Sequence, residues 1–184
     1  FTSYASLNAQ NIVSCMKGQS RVFDTIPSVR SLSSFSMLSR KQSRDARRQR
    51  LLYLGTVSYS KMHPESAKIF AALSRDGFDV SVVGGPEEEK LLADVIAEGG
   101  RITVHGFKRD VLCFYEAADF FIYPLRRGHY GTGEQVVLEA MASGLPVVAF
   151  DNPAENFLVE HGQTGLLATT VTQFIDYVNR ICSD

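Results

Sequence analysis

Residues 133 to 148, GEQVVLEAMASGLPVV, place a glycine turn, a short amphipathic helix, a stop at Ser143 and Gly144, and a Pro-led apolar strand in immediate succession. They follow a buried-strand candidate, FFIYP at 120 to 124, across a glycine-rich loop. A helix that opens there aims unpaired N–H groups at the crevice where open α/β sheets bind ligands, and its dipole favours an anion. Gly133, Glu134 and Gln135 stand where those donors belong. Phosphate suits such a cradle, although ordinary turn chemistry accounts for Gly131 or Gly133 taken singly.

A diphosphate also needs positive charge. Lys61 lies six residues past Gly55, which closes the strand candidate LLYLG, in the phrase GTVSYSKMHP. The carboxyl end of a strand is where such sheets contact ligands; a solvated loop lysine is the alternative. Arg126 and Arg127, at the end of FFIYPL, are a second source of charge. Along the helix, positions 136, 137, 138, 140 and 141 are apolar, so Gln135 and Glu139 share the remaining face, which by pattern alone reads as exposed. Glu134 reads either as a first-turn partner of the helix dipole or as a carboxylate facing the crevice.

These residues need a scaffold, and from residue 51 the chain alternates short β-rich runs with helical patterns. The candidate strands are LLYLG (51 to 55), FDVSVVG (78 to 84), RITVHG (101 to 106), DFFIYP (119 to 124), LPVVAF (145 to 150) and TGLLA (164 to 168). Between them HPESAKIFAALSRDG, PEEEKLLADVIAEGG, RDVLCFYEAA and the LEAMA segment show apolar positions near a 3.6 period, most of them ended by glycine. This rhythm predicts an α/β fold, a Rossmann-like doubly wound parallel sheet of about six strands with helices on both faces. Residues 4 to 16 suggest a helix and 21 to 26 a strand, while the Ser- and Arg-rich stretch 28 to 50 reads as linker or loop.

The ordered phrases, an LEAMA-type helix, a G-x-P-V-V strand and ENFLVEHGQTGLL at 155 to 167, resemble the nucleotide-sugar half of family 4 retaining glycosyltransferases. The resemblance covers residues 51 to 168 and implies one half of a GT-B fold: residues 51 to 184 as the Rossmann-like nucleotide-sugar-binding domain, residues 1 to 50 as a partial N-terminal crossing segment and basic linker. It implies a nucleotide-diphosphate sugar as donor substrate, no cofactor or metal, an N-terminal acceptor-binding domain as partner, and transfer with retention to a saccharide or lipid-linked acceptor. GTVSYSKMHP resembles the family phrase G-R-L-x-x-x-K-G, so Lys61 matches a diphosphate-binding lysine and Thr56 stands where an arginine is usual. Glu139 matches the glutamate that accepts hydrogen bonds from the donor ribose, a role suited to an acceptor-only carboxylate. The family's other signature glutamate falls on Gly131, and Glu134 is the nearby candidate for its catalytic place. HGFKR at 105 to 109 resembles the turn whose backbone holds the base, which puts Gly106 and Phe107 in the donor site. His129 and Tyr130, in what reads as an exposed loop, are candidates to touch the sugar, and Glu155 matches a family glutamate with either a turn-pinning or a functional role. The missing Arg and Glu keep a non-catalytic sugar-nucleotide-binding or partner-binding module open, and a sugar-nucleotide epimerase is a further alternative.

At 184 residues, 45% hydrophobic and 21% charged, one substantial core is expected. The net charge of −1 conceals a split: residues 1 to 50 hold nine Lys/Arg against two Asp/Glu, and the remainder ten against eighteen. Arg40, Lys41, Arg44, Arg47, Arg48 and Arg50 form a basic run that reads as a solvated linker or as a segment attracted to anionic membrane. Cys15, Cys113 and Cys182 are widely spaced, which fits a reduced, cytoplasmic protein, peripheral to the inner membrane face if the basic run binds lipid. No apolar run approaches the ~18 residues of a membrane span, and with Phe1 at the start and no signal-like segment the chain is expected to be a fragment. H-E-x-x-H, Walker A, G-x-S-x-G, D-x-D and a G-x-G-x-x-G after the first strand are all missing, which argues against metallohydrolase, P-loop, α/β-hydrolase and nicotinamide-dehydrogenase chemistry, and nothing points to nucleic acid.

Overall fold

The computed structural model describes residues 32–38, 48–129 and 135–181. Each of the six apolar runs supplies a strand: β1 (Arg50–Leu54), β2 (Asp79–Val83), β3 (Thr103–Val104), β4 (Phe120–Tyr123), β5 (Val147–Phe150) and β6 (Gly165–Ala168). All pair in parallel, in the order β3-β2-β1-β4-β5-β6. Every residue of β4 and β5 is buried. Helices cover both faces of such strands, so their sequences show no polar alternation.

Contacts sort the helices into two groups. α2 (Ser66–Arg75) touches α3 (Glu88–Ala97) and α7 (Val171–Ile181); α1 (Ser33–Ser36) touches α4 (Leu112–Ala117) and α5 (Gln135–Ala142), and α5 touches α6 (Pro153–Leu158). α7 buries Phe174 and Val178, four residues apart on one stripe, and α6 opens with Pro153, whose missing N–H costs nothing in a first turn. Both add to the helices expected from the sequence.

Two expectations need correction. The run RITVHG yields only Thr103–Val104 as strand, because β3 is an edge with β2 as its neighbour; the backbone still bonds onward, from His105 N to Val82 O at 2.9 Å and from Gly84 N to Gly106 O at 2.9 Å. The stretch 28 to 50, expected to be linker, contains the turn of helix α1, whose Phe35 is buried in the core. The helix expected over 4 to 16 and the strand expected over 21 to 26 lie outside the described residues.

β1 sits at the centre, with Leu51 paired to Val80 on one side and Phe120 on the other. The chain first winds outward through β2 and β3, then returns across β1 to start β4. A clamp fixes the start of this second half: Asp119 N donates to Arg50 O at 2.9 Å, Arg50 N donates to Asp119 Oδ2 at 2.8 Å, and the guanidinium adds bonds of 3.3 Å to both carboxylate oxygens. The strand order therefore reverses between β1 and β4, the point at whose carboxyl ends open α/β sheets offer a crevice.

The carboxyl end of β1 also lies hard against the end of β2. A Cβ at Gly84, where φ is +138°, would stand 1.8 Å from the Gly55 carbonyl oxygen. Gly84→Ala is therefore expected to destabilise the fold by ~3 kcal/mol or more, through backbone strain and forced separation of the two strand ends. Urea unfolding measures this, and a midpoint equal to that of the parent would refute the close approach.

Candidate functional site

The crevice at the reversal is built by two loops bonded to each other. After β1, Gly55 to His63 runs across the strand ends; after β4, Pro124 to His129 meets it. His63 N donates to Pro124 O at 2.8 Å and Arg126 N to Lys61 O at 3.0 Å, on either side of an antiparallel bridge between Met62 and Leu125. Met62 and Leu125 are buried, so this zipper is anchored in the core. The Arg126 guanidinium reaches the Tyr59 carbonyl at 3.4 Å.

This zipper brings the expected cations together. Lys61 Nζ lies over the Tyr123 ring, 5.8 Å from its centroid, a cation–π distance. Thr56 is in the same loop, its carbonyl accepting from the Tyr53 hydroxyl at 2.6 Å, and Tyr53 stacks on Tyr123 at 5.8 Å. Arg127, also exposed, lines a separate cleft with Asp151, Pro153, Asn156 and Phe157. Gly106 and Phe107 follow β3, beyond β2; the Gly106 carbonyl is used by Gly84 N, and Phe107 is 78% exposed.

α5 begins at Gln135, and Glu139 stands one turn inside it. The expectation of an exposed Glu139 is overturned: it is 3% exposed. The apolar pattern marks one face of α5, but the Tyr115 side chain of α4 reaches Glu139, and α1 also packs on α5. Tyr115 of α4 donates from its hydroxyl to Glu139 Oε2 at 3.1 Å, with the Val136 carbonyl at 3.2 Å as a competing acceptor. Burial first, and then the nearby Glu139 carboxylate, push the Tyr115 hydroxyl far above its ordinary range, so it stays a donor. A row of rings connects the two parts of the site: Tyr115 stacks on Phe121 at 6.1 Å, Phe121 meets Tyr123 at 5.6 Å, and Lys61 lies over Tyr123.

His129 is likewise not the exposed loop residue expected. Its side chain is 3% exposed and its Nε2 lies 3.1 Å from Glu155 Oε1, on a side chain of 0% exposure. Glu155 thus ties α6 to the loop after β4. Gly131, Gly133, Glu134 and Tyr130 lie outside the described residues. Of the basic run, Arg48 and Arg50 are engaged on the domain, with Asp79 at 3.4 Å and Asp119 at 3.3 Å respectively; the other four cations are outside the described residues. Among the described residues no helix is long and apolar enough to cross a membrane, and no cluster of three His, Cys, Asp or Glu side chains is placed to hold a metal ion.

Tyr115, His63 and Phe35 make contacts at this site that residue type and spacing do not mark. Tyr115 sits on an apolar helical stripe, where a ring reads as core. His63 stacks on Phe150 at 4.6 Å while its Nδ1 accepts from Glu65 N at 3.1 Å.

A six-stranded parallel sheet of this order, with helices on both faces, defines a Rossmann-like α/β domain. The family model for group 1 glycosyl transferases matches residues 48–184, and the chain belongs to that family. It is 34% identical over 94 residues to an uncharacterized glycosyltransferase of Haemophilus influenzae, covering 49% of this chain and 26% of that protein. To the amylovoran biosynthesis glycosyltransferase AmsK of Erwinia amylovora it is 31% identical over 99 residues, covering 50% of this chain and 24% of that protein. The matched regions thus span about a quarter of each of these relatives. Among solved structures it is similar in fold to a mutant of S. aureus TarM crystallised with fondaparinux, alpha-GlcNAc-glycerol and UDP, with a TM-score of 0.72 at 12% identity over 95% of this chain and 35% of that one. The domain is therefore a GT-B glycosyltransferase domain.

The zipper should be acid-sensitive. Burial lowers the pKa of His63 below its ordinary 6.5, with Glu65 opposing, and His105 is lowered likewise by burial and Lys108. Below 6.5 the unfolded chain takes up protons that the folded chain refuses, so the stability these histidines contribute is full above that value and is lost as pH falls toward their folded values. Denaturant midpoints measured from about pH 7.5 to 5.5 should fall, and fall less steeply in His63→Asn. Parallel profiles for the two proteins would show that His63 does not need to be neutral in the fold.

Proposed function

We propose that this chain is the C-terminal, donor-binding domain of a retaining glycosyltransferase, which passes a hexosyl group from a nucleotide-diphosphate sugar to a saccharide or lipid-linked acceptor in carbohydrate biosynthesis. The observation that carries this reading is the meeting of Lys61 and Arg126 at the carboxyl ends of β1 and β4, one ring row away from the buried Glu139. Open α/β sheets bind their ligands at such a reversal. TarM was crystallised with UDP, which supports a nucleoside diphosphate as the shared part of the ligand.

In this proposal Lys61 and the amino end of α5, from Gly133 through Gln135, hold the diphosphate, and Arg126 supplies charge in place of the arginine replaced by Thr56. Glu139 accepts from the ribose hydroxyls. The Gly106–Phe107 turn lies where the base would reach the ends of β2 and β3. Glu134 is the candidate to face the sugar. The acceptor oxygen bonds to the anomeric carbon as the bond to the diphosphate oxygen breaks; the acceptor's proton passes to the departing diphosphate, and no covalent enzyme intermediate is invoked. Residues 1 to 50 belong, on this proposal, to the crossing from an acceptor-binding domain. The enzyme works at the cytoplasmic face of a membrane, with Arg40, Lys41, Arg44 and Arg47 drawn to anionic lipid.

A nucleoside diphosphate should bind the chain in the micromolar to millimolar range, and Lys61→Ala and Glu139→Ala should each weaken it by roughly ten- to a hundredfold, as expected when a charged hydrogen bond worth ~1.5–3 kcal/mol is lost. Calorimetry with UDP, GDP and ADP tests this. No binding by any of them, or unchanged affinity in both variants, would reject the site.

By itself the chain should not transfer sugar. A GT-B active site lies between two domains, and orientation of two reactants supplies ~7–11 kcal/mol of barrier reduction that the donor contacts cannot replace. Acceptor-dependent release of nucleoside diphosphate by the 184-residue chain would overturn the two-domain reading, whereas rescue by the upstream domain would support it.

A further inference from the structure

Phe35 comes from a Ser-rich stretch without periodicity, yet it is 8% exposed. Its ring meets Tyr115 edge-on, with centroids 5.4 Å apart and planes at 89°, the arrangement in which a positive ring edge faces a negative ring face. Tyr115 is itself 1% exposed and lies against Phe121 of β4. The Tyr115 ring is thus held by β4 and by the segment that precedes β1. What remains is the direction of its hydroxyl, which has two acceptors within reach, Glu139 Oε2 at 3.1 Å and Val136 O at 3.2 Å.

We propose that Tyr115 is the positioning residue for Glu139, and that Phe35 holds Tyr115 in place, so that the segment before β1 is a working part of the ribose subsite. This rests on the donor-binding reading given above. A glutamate has three side-chain torsions, and one hydrogen bond from a fixed phenol selects the rotamer in which its carboxylate meets a ribose. The carboxylate offers about four lone-pair directions, so the bond from Tyr115 orients it without using up its capacity to accept. Take the hydroxyl away and the ring packing is kept while the carboxylate loses a bond that directs it. Remove Phe35 and the ring itself gains room, although Tyr115 and Glu139 are both intact. A residue 104 positions before Glu139 in the chain then affects which nucleotides bind.

The distinguishing readout is preference for ribose over 2′-deoxyribose, because general loosening weakens both ligands together. Calorimetry on the full chain would use UDP, GDP and ADP and their 2′-deoxy counterparts, taking the pair that binds most tightly, with thermal melts to confirm that each variant is folded. The parent should favour the ribo form by about tenfold or more, the loss expected for one hydrogen bond to a charged group. Tyr115→Phe should cut that preference to about threefold or less while leaving affinity for the deoxy form nearly unchanged. Phe35→Ala should act in the same direction, and Phe35→Leu, which refills the space and keeps the protein testable if the alanine variant fails to fold, should restore most of the preference. Glu139→Gln is the reference. If Glu139→Gln loses the preference and Tyr115→Phe keeps it, the ribose reading stands and the positioning role is wrong. Equal weakening of both nucleotides by Tyr115→Phe, or a parent-like preference in Phe35→Ala, also overturns the proposal. If Glu139→Gln keeps the preference, or if the parent binds none of the nucleotides, the donor-site reading falls and this inference with it.

Discussion

The pairing of β1 with β4 is the constraint on which the rest of the molecule depends. One strand pair must serve as the centre of the sheet, the point where its order reverses, and the base of two loops that touch each other. The Arg50–Asp119 clamp fixes its amino end, and the Met62–Leu125 zipper fixes its carboxyl end. Slippage of one residue would turn the buried residues of β4 to the wrong faces and carry Lys61 away from Tyr123. Hydrophobic register therefore sets the positions of the charges, since neither exposed arginine of the loop has a buried partner to place it.

Strand β4 connects this scaffold to chemistry through its aromatic residues. Phe121 and Tyr123 stand two apart on one face; Phe121 stacks on the Tyr115 ring that bonds Glu139, and Tyr123 is itself the ring beneath Lys61. A buried carboxylate such as Glu139 is costly without hydrogen bonds, so the Tyr115 hydroxyl is both a stabilising contact and a way of fixing direction. His129 and Glu155 make a second buried polar pair, between the loop after β4 and α6. The segment between these two pairs contains the glycines and Glu134 that the sequence assigns to the phosphate and the sugar.

Much of this was legible in the sequence, and for a specific reason. The strands are buried on both faces, so they appear as unbroken apolar runs that need no partner to be recognised. The α5 segment was equally plain, since a glycine turn, an apolar stripe and a Ser-Gly stop are local features. What failed was any inference that depended on a second element. The face of α5 that holds Glu139 looks solvent-facing in sequence because nothing local announces the Tyr115 side chain that meets it. Phe35 looked like part of a linker because its partner, Tyr115, is 80 residues away. His129 looks exposed in sequence because a lone loop histidine carries no sign of a buried carboxylate 26 positions later. β3 was over-extended because an edge strand has the same composition as a central one but fewer neighbours to pair with.

We propose that the crevice between β1 and β4 holds a diphosphate. A crystal structure of the chain with a bound nucleoside diphosphate tests it most directly. The diphosphate is expected across the carboxyl ends of β1 and β4, with Lys61 Nζ within hydrogen-bonding distance of a phosphate oxygen and the ribose on the α5 side, toward Glu139. A nucleotide seated at the opposite, amino end of the sheet, or one that leaves Lys61 and Glu139 untouched, would contradict it.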